Sequence, residues 1–236
     1  MRSRGKPACS ALVLLLWLLP ALAAAAPAGE VTHLSGVCIV RKADGSSKVL
    51  APKTPVDQGD VVVTSNNAYL QLKFTDGGEV TLRPNTQLRI ERYHFEPEKP
   101  QEDSLIFGLL KGGLRTITGL LGKRKDRSYE MQTTTATIGI RGTGYGIQLC
   151  QGDCQDLRNV DGRVPENGAH VDVFEGSIGV VNQAGELVLK QGEFAYVARI
   201  DVPTVRVPRG EAVPAPTPSF GTAPKRSGLD SSCIVQ

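Results

Sequence analysis

The strongest constraint on this chain is an apolar alternation of period two that recurs in short runs along most of its length. In Tyr69–Phe74 (YLQLKF), Leu70, Leu72 and Phe74 fall on one side of an extended strand, and Tyr69, Gln71 and Lys73 fall on the other. Val80, Leu82, Leu88 and Ile90 continue the pattern around Pro84-Asn85. Residues 31–41 read as a strand pair or as one strand bent at Gly36, and Val61, Val62 and Val63 as a short buried run. Further strand candidates lie at 137–149, 171–174, 178–181, 187–189 and 194–200, and turn pairs such as Asp44-Gly45, Asp76-Gly77, Glu175-Gly176, Ala184-Gly185 and Gln191-Gly192 punctuate the pattern. Short strands spaced by turn signals specify an all-β fold. Two architectures fit: a twisted sandwich, or a short β-solenoid-like stack of antiparallel hairpins. A faint internal echo, Gln58-Gly59-Asp60 and Gln191-Gly192-Glu193 each ahead of a return strand, agrees with repeated β units.

Two stretches break the alternation. Residues 96–103 (EPEKPQED) are charged and contain proline, so they read as a solvated loop. In 104–127, Leu105, Phe107 and Leu109 alternate, whereas Ile106, Leu110, Leu114, Ile117 and Leu121 suit a helix. Gly108, Gly112, Gly113, Gly119 and Gly122 oppose a helix. The expectation is a strand followed by a Gly-rich basic loop. From Pro203 onward the chain is Pro-rich and is expected to be an extended or disordered tail.

The first residues have the three parts of an export leader. Arg2, Arg4 and Lys6 precede the apolar run 11–19, and Pro20 and the small residues 23–28 follow. Small residues at −3 and −1 allow cleavage after Ala25 or Ala28; the expected site is after Ala28. A membrane span wants about 20 apolar residues, and this run approaches that length only through Pro20 and alanines. The expected product of about 208 residues is therefore periplasmic or secreted and does not span the membrane. The whole chain carries 27 basic and 24 acidic residues. The leader removes three basic residues, so the mature chain is formally neutral and its charge indicates no nucleic-acid partner.

Cys9 leaves with the leader, and Cys38, Cys150, Cys154 and Cys233 remain. In an oxidising compartment paired thiols become disulfides. Cys150 and Cys154 are expected to close a short loop, while the pairing of Cys38 and Cys233 is left open by the sequence. One short-spaced cysteine pair does not supply a zinc set, so no metal or cofactor is implied.

Several residues are candidates for chemistry. Lys123, Arg124, Lys125 and Arg127, with Lys111 and Arg115, form the densest positive charge. They suit anionic head groups, peptidoglycan or an acidic protein face, and equally a solvated hairpin tip. No aromatic residues interleave them, which argues against single-stranded nucleic acid. Asp153, Asp156, Asp161 and Glu166 offer calcium-type oxygens without an EF-hand spacing. Gly142-x-Gly144-x-Gly146 resembles a phosphate loop but lacks the P-loop lysine and fits a strand bulge better. No G-x-S-x-G nucleophile elbow occurs, and the expectation is a binding module, not an enzyme.

One stretch is specific. Lys111-Gly112 with Arg115, followed by Thr133, Ala136, Gly139, Arg141, Gly142 and Thr143 (TTTATIGIRGT), closely resembles the end of the FecR domain. Upstream, Gln58-Gly59-Asp60 with Thr64, and Thr75-Asp76-Gly77-Gly78 with Val80, Leu82 and Pro84, resemble other parts of that domain. Thr134 departs from the family pattern, which usually has proline there. The resemblance covers about residues 31–146. It implies an all-β fold, a bacterial envelope setting and a protein- or ligand-binding role. Family members that regulate iron uptake carry a cytoplasmic sigma-regulating tail and a membrane helix. This chain matches neither, so that role is not carried over. The expected organisation is a leader (1–28), a FecR-like β domain (29–146), a β-rich extension (147–202) and a tail (203–236). Arg141 stands in the motif either as a backbone-bonding structural residue or as a partner-recognition residue.

Overall fold

The computed structural model describes residues 26–124 and 129–213, with the backbone but not the side chain of Arg141. The leader's apolar run, Lys125, Arg127, Cys233 and the tail beyond 213 lie outside the described residues.

Among the described residues fifteen strands form one hydrogen-bonded network, in which β9–β10 is the parallel pairing and the other pairings are antiparallel. They are β1 (Gly29–Ser35), β2 (Cys38–Arg41), β3 (Ser47–Val49), β4 (Pro55–Val56), β5 (Val61–Thr64), β6 (Tyr69–Phe74), β7 (Glu79–Leu82), β8 (Gln87–His94), β9 (Ser104–Ile117), β10 (Tyr129–Gln132), β11 (Thr137–Cys150), β12 (Gly168–Asn182), β13 (Gly185–Lys190), β14 (Phe194–Val197) and β15 (Val205–Val207). One short helix, α1 (Leu120–Arg124), follows β9, and a 3₁₀ turn spans Arg209–Glu211.

Three long strands explain the architecture. Each bends at a glycine with positive φ: β9 at Gly112 (77°), β11 at Gly142 (60°) and β12 at Gly176 (73°). Before its bend, β9 pairs with β8 and β10; after it, with β7 and β11. The first half of β11 pairs with β10, and its second half with β9. The first half of β12 pairs with β14, and its second half with β13. The network therefore resolves into two layers that share these strands. One layer runs β4-β1-β6-β7-β9-β11-β12-β14-β15, and the other β3-β2-β5-β8-β9-β10-β11-β12-β13. This is a twisted sandwich with three continuous corners.

The buried side chains record the bends. Along β9, Leu105, Phe107 and Leu109 point inward, and after Gly112 the inward set becomes Leu114 and Thr116. Along β11 it moves from Ile138 and Ile140 to Tyr145, Ile147 and Leu149; along β12, from Val171 and Val173 to Ile178 and Val180. An extra residue at each corner slips the two-residue phase, as a bulge does. Inward residues of the two layers meet in the middle. The rings of Phe74 and Phe107 lie 5.1 Å apart, and the Tyr129 and Tyr145 hydroxyls are 2.9 Å apart.

Four expectations differ from the structure. The Gly-rich basic loop is instead the second half of β9 followed by α1, because Gly112 and Gly113 lie against Thr86, whose Oγ1 accepts from Gly113 N at 3.0 Å. Glu175-Gly176 is a corner inside one strand rather than a turn between two. Residue 146, the expected domain boundary, falls within β11. The expected tail from Pro203 begins with β15, paired to β14, and Ala212 and Val213 are buried. In addition, Val61–Val63 alternate, with only Val62 of the three fully buried. Ala28, expected to leave with the leader, donates to Val56 O and accepts from Thr75 N; cleavage after Ala25 would preserve both bonds.

Candidate functional site

The motif residues converge on structural pins. Asp60 is buried and accepts from Asp57 N at 2.8 Å and from Lys42 Nζ at 2.7 Å. Thr64 Oγ1 donates to Arg83 O and accepts from Thr86 N. Asp76 closes the β6–β7 hairpin by accepting from Gly78 N at 3.0 Å, and its other oxygen accepts from Leu121 N at 3.2 Å. The hairpin thus fixes the start of α1. At Thr134, where proline is expected, the turn is rigid by another means. Thr133 Oγ1 accepts from Thr135 N and Ala136 N and donates to Ala136 O.

Thr143 laces the central corner. Its hydroxyl donates to Ser177 O at 2.7 Å, its N–H donates to Thr118 Oγ1 at 2.9 Å, and its carbonyl accepts from Thr118 N at 3.0 Å. Three chain segments, 117–120, 142–144 and 175–177, are therefore joined at one point. Around it lie Ile117 and Leu120, large aliphatics 46% and 48% exposed, and the exposed Lys123, which rests against Gly142. Beside them the Arg115 guanidinium stacks 3.2 Å from the Phe174 ring centroid. Gly144 lets that ring lie flat, since a Cβ there would overlap it.

Of the expected basic site, the side chains of Lys123 and Arg124 are among the described residues. Arg124 is ion-paired to the buried Asp103 at 2.8 Å and donates to Glu96 O and Pro97 O. Lys111 lies 3.5 Å from Asp153. Burial lowers the Arg115 pKa, opposed by the Asp172 charge. Of the cations proposed for binding, Lys123 is the exposed one among those described, while Arg124 holds the 95–103 loop to α1. The Arg141 backbone pairs opposite Ser177 at the corner.

The disulfide expectation is met: Cys150 and Cys154 are bonded. Cys38 is buried, and burial pushes its thiol up to about 11. The bridge starts a loop, 151–167, that folds over the outer side of β11 and β12. There Gln148 Nε2 lies 3.6 Å from Cys154 Sγ, and His170 Nε2 lies 2.9 Å from Glu166 O. The acids of this loop do not gather into one calcium site; Asp153 faces Lys111 and Asp161 faces Arg163. Among the described residues the grouping that does form is His94, Glu96 and Glu102, whose ligand-type atoms lie within 4.8 Å of one another. Lys99 is already 3.1 Å from Glu96 there. The sequence hides this set because Glu102 returns to His94 only through the loop's two successive turns.

A second feature went unseen in the sequence. Between the loop and β14–β15 lies a half-open cavity of about 250 Å³ whose lining includes His170, Tyr196, Pro165, Glu166 and Glu211. Its aromatic floor depends on the register pairing His170 with Tyr196, which no local pattern displays.

The FecR protein family model matches residues 60–179. That is just over half of the 236 residues, and the chain belongs to the FecR family. No curated protein matches the chain. Two crystal structures of a candidate anti-sigma factor from Parabacteroides distasonis, at 2.50 and 1.65 Å resolution, are similar with TM-scores of 0.47 and 0.46 and 16% identity. Each alignment covers 65% of this chain and 60% of that chain, so this chain spans about three-fifths of their length. A cell surface anchoring domain is similar over 26% of this chain and 82% of its own, with 26% identity and a TM-score of 0.26. Among the described residues no helix is long and apolar enough to cross a membrane.

Proposed function

We infer that this chain is a non-catalytic protein-binding module of the bacterial cell envelope, exported behind a cleaved leader. Its partner is a protein that docks on the corner formed by β9, α1, β11 and β12. The observation that carries this reading is the location of the family's residues. Asp76 and the Arg141-Gly142-Thr143 run brace one rigid corner, and that corner presents Ile117 and Leu120 to solvent. Neighbouring exposed aliphatics on a rigid support are what a partner's apolar anchor requires. Lys123 and the Arg115–Phe174 stack border them, which favours a partner with an acidic rim. The leader and the buried disulfide support an oxidising compartment.

The test compares affinity capture from envelope extract by wild type and by an Ile117→Asp/Leu120→Asp double variant with unchanged thermal stability. The reading expects one protein to fall at least about tenfold in the variant, a loss of roughly 1.4 kcal/mol. An identical captured set would remove the corner as the docking site.

A further inference from the structure

The cavity under the 151–167 loop is remote from the corner and has chemistry of its own. Its floor is a pair of rings: His170 and Tyr196 lie with centroids 5.0 Å apart and planes 33° from parallel. Tyr196 is fixed by its hydroxyl, which donates to Asn167 O at 2.5 Å. His170 is fixed by Nε2, 2.9 Å from Glu166 O. A carbonyl only accepts, so Nε2 carries the hydrogen. Nδ1 is buried with no partner, and a second proton there would be an unpaired buried donor. Burial accordingly lowers the His170 pKa, and the floor stays an uncharged aromatic plate.

The walls are braced independently of any ligand. Val160 N donates to Ala212 O and Asp161 N to Gly210 O, tying the loop to the 3₁₀ turn. Arg163 lies 3.2 Å from Asp161 and 3.8 Å from Glu211. Pro165 closes one side. The exposed rim carries the carboxylates of Glu166 and Glu211 as acceptors, with the Arg163 guanidinium beside Glu211. The volume of about 250 Å³ falls below the ~300–1,000 Å³ of drug-sized sites, which limits the occupant to one ring and its substituents.

We propose that this cavity binds a single pyranose ring, stacked on Tyr196 and His170 with its hydroxyls donating to Glu166 and Glu211. The polarity matches on both axes. The face of an aromatic ring is negative and attracts the weakly positive C–H face of a sugar, while equatorial hydroxyls are donors that carboxylates at the rim accept. A fully apolar occupant would leave both carboxylates facing it.

Saturation-transfer NMR on the full mature chain, with D-glucose, D-galactose, N-acetyl-D-glucosamine and D-glucosamine as separate probes at millimolar concentration, tests this directly. At least one sugar should receive saturation, strongest at the ring protons of one face. Preference for D-glucosamine would assign the rim to an ammonium, and equal response to D-glucose would assign it to hydroxyls; both support the site. Tyr196→Ala should weaken binding at least about tenfold, and Tyr196→Phe should retain it. Should Tyr196→Ala lower thermal stability, the exposed Glu211→Gln provides the second variant, with a several-fold loss expected. No transfer to any of the four sugars would overturn the proposal. So would transfer unchanged by these variants, or displacement of every sugar by a short proline-rich peptide that itself binds in the cavity.

Discussion

Two corner glycines share a left-handed backbone but not the same surroundings, and this separates strain from collision. A Cβ added at Gly142 (φ 60°) would meet nothing nearer than Lys123 Cγ at 3.5 Å. A Cβ at Gly176 (φ 73°) would meet Gly142 O at 2.7 Å, closer than real Cβ atoms approach. Placing alanine in this backbone region takes roughly 1–2 kcal/mol, and the lost freedom of the unfolded chain returns about 0.4–1 kcal/mol. Gly142→Ala should therefore destabilise by about 0–1.6 kcal/mol, centred near 1 kcal/mol. Gly176→Ala adds an overpacking term of roughly 1–3 kcal/mol, for a total near 2–4 kcal/mol. At about 2–4 °C per kcal/mol for a body of this size, the melting temperature falls by a few degrees in the first variant and by about 5–15 °C in the second. Gly142→Asn should be milder than Gly142→Ala, because asparagine visits this conformation more readily. Urea denaturation followed by circular dichroism reads the difference as a midpoint shift at constant slope. Equal losses for the two alanine variants would refute the corner geometry, as would Gly142→Asn proving worse than Gly142→Ala.

Three further outcomes follow. The Cys150–Cys154 bridge has a sequence separation of 4, so by chain entropy it contributes roughly 2 kcal/mol. A Cys150→Ala/Cys154→Ala variant should lose about that much stability, and hydrogen exchange in 151–167 should rise most. His170 has a lowered pKa in the folded state, so between that value and about 6.5 the unfolded chain binds the proton and the folded chain does not. Stability should then fall as pH drops through this window, by at most ~1.4 kcal/mol per unit for one proton, and His170→Gln should flatten the profile below about pH 6.5 in denaturant titrations. Arg124→Met leaves the buried Asp103 carboxylate without its cation. The loss should be about 2–3 kcal/mol, below the ~3–5 kcal/mol of a fully buried pair because Arg124 is 24% exposed, and thermal melts would show it restored by the further change Asp103→Asn.

Much of the fold was legible because a strand displays its buried face every second residue. Leu70, Leu72 and Phe74 could be read directly, and Asp44-Gly45 and Asp76-Gly77 marked real hairpin turns. The long strands were misread for a specific reason. Once Gly112 inserts an extra residue, Leu105, Phe107 and Leu109 fall out of phase with Leu114, and a two-residue pattern with a slip imitates a helical one. The same slip at Gly176 made one strand look like two. The partners of the basic residues were not legible at all. Asp103 and Arg124 are 21 residues apart, and only the docking of α1 against the 95–103 loop joins them. Tyr196 and His170 meet through sheet register, 26 positions apart in sequence, so the cavity left no local trace.

The central claim is that the braced corner is where a protein partner docks. A photo-crosslinking residue placed at Leu120, in cells that export the chain, tests it most directly. Val49, on β3 and 72% exposed, serves as the control position. The account predicts one discrete adduct from position 120, absent from position 49 and lost when Ile117→Asp is added. No adduct from position 120, or the same adduct from both positions, would contradict it.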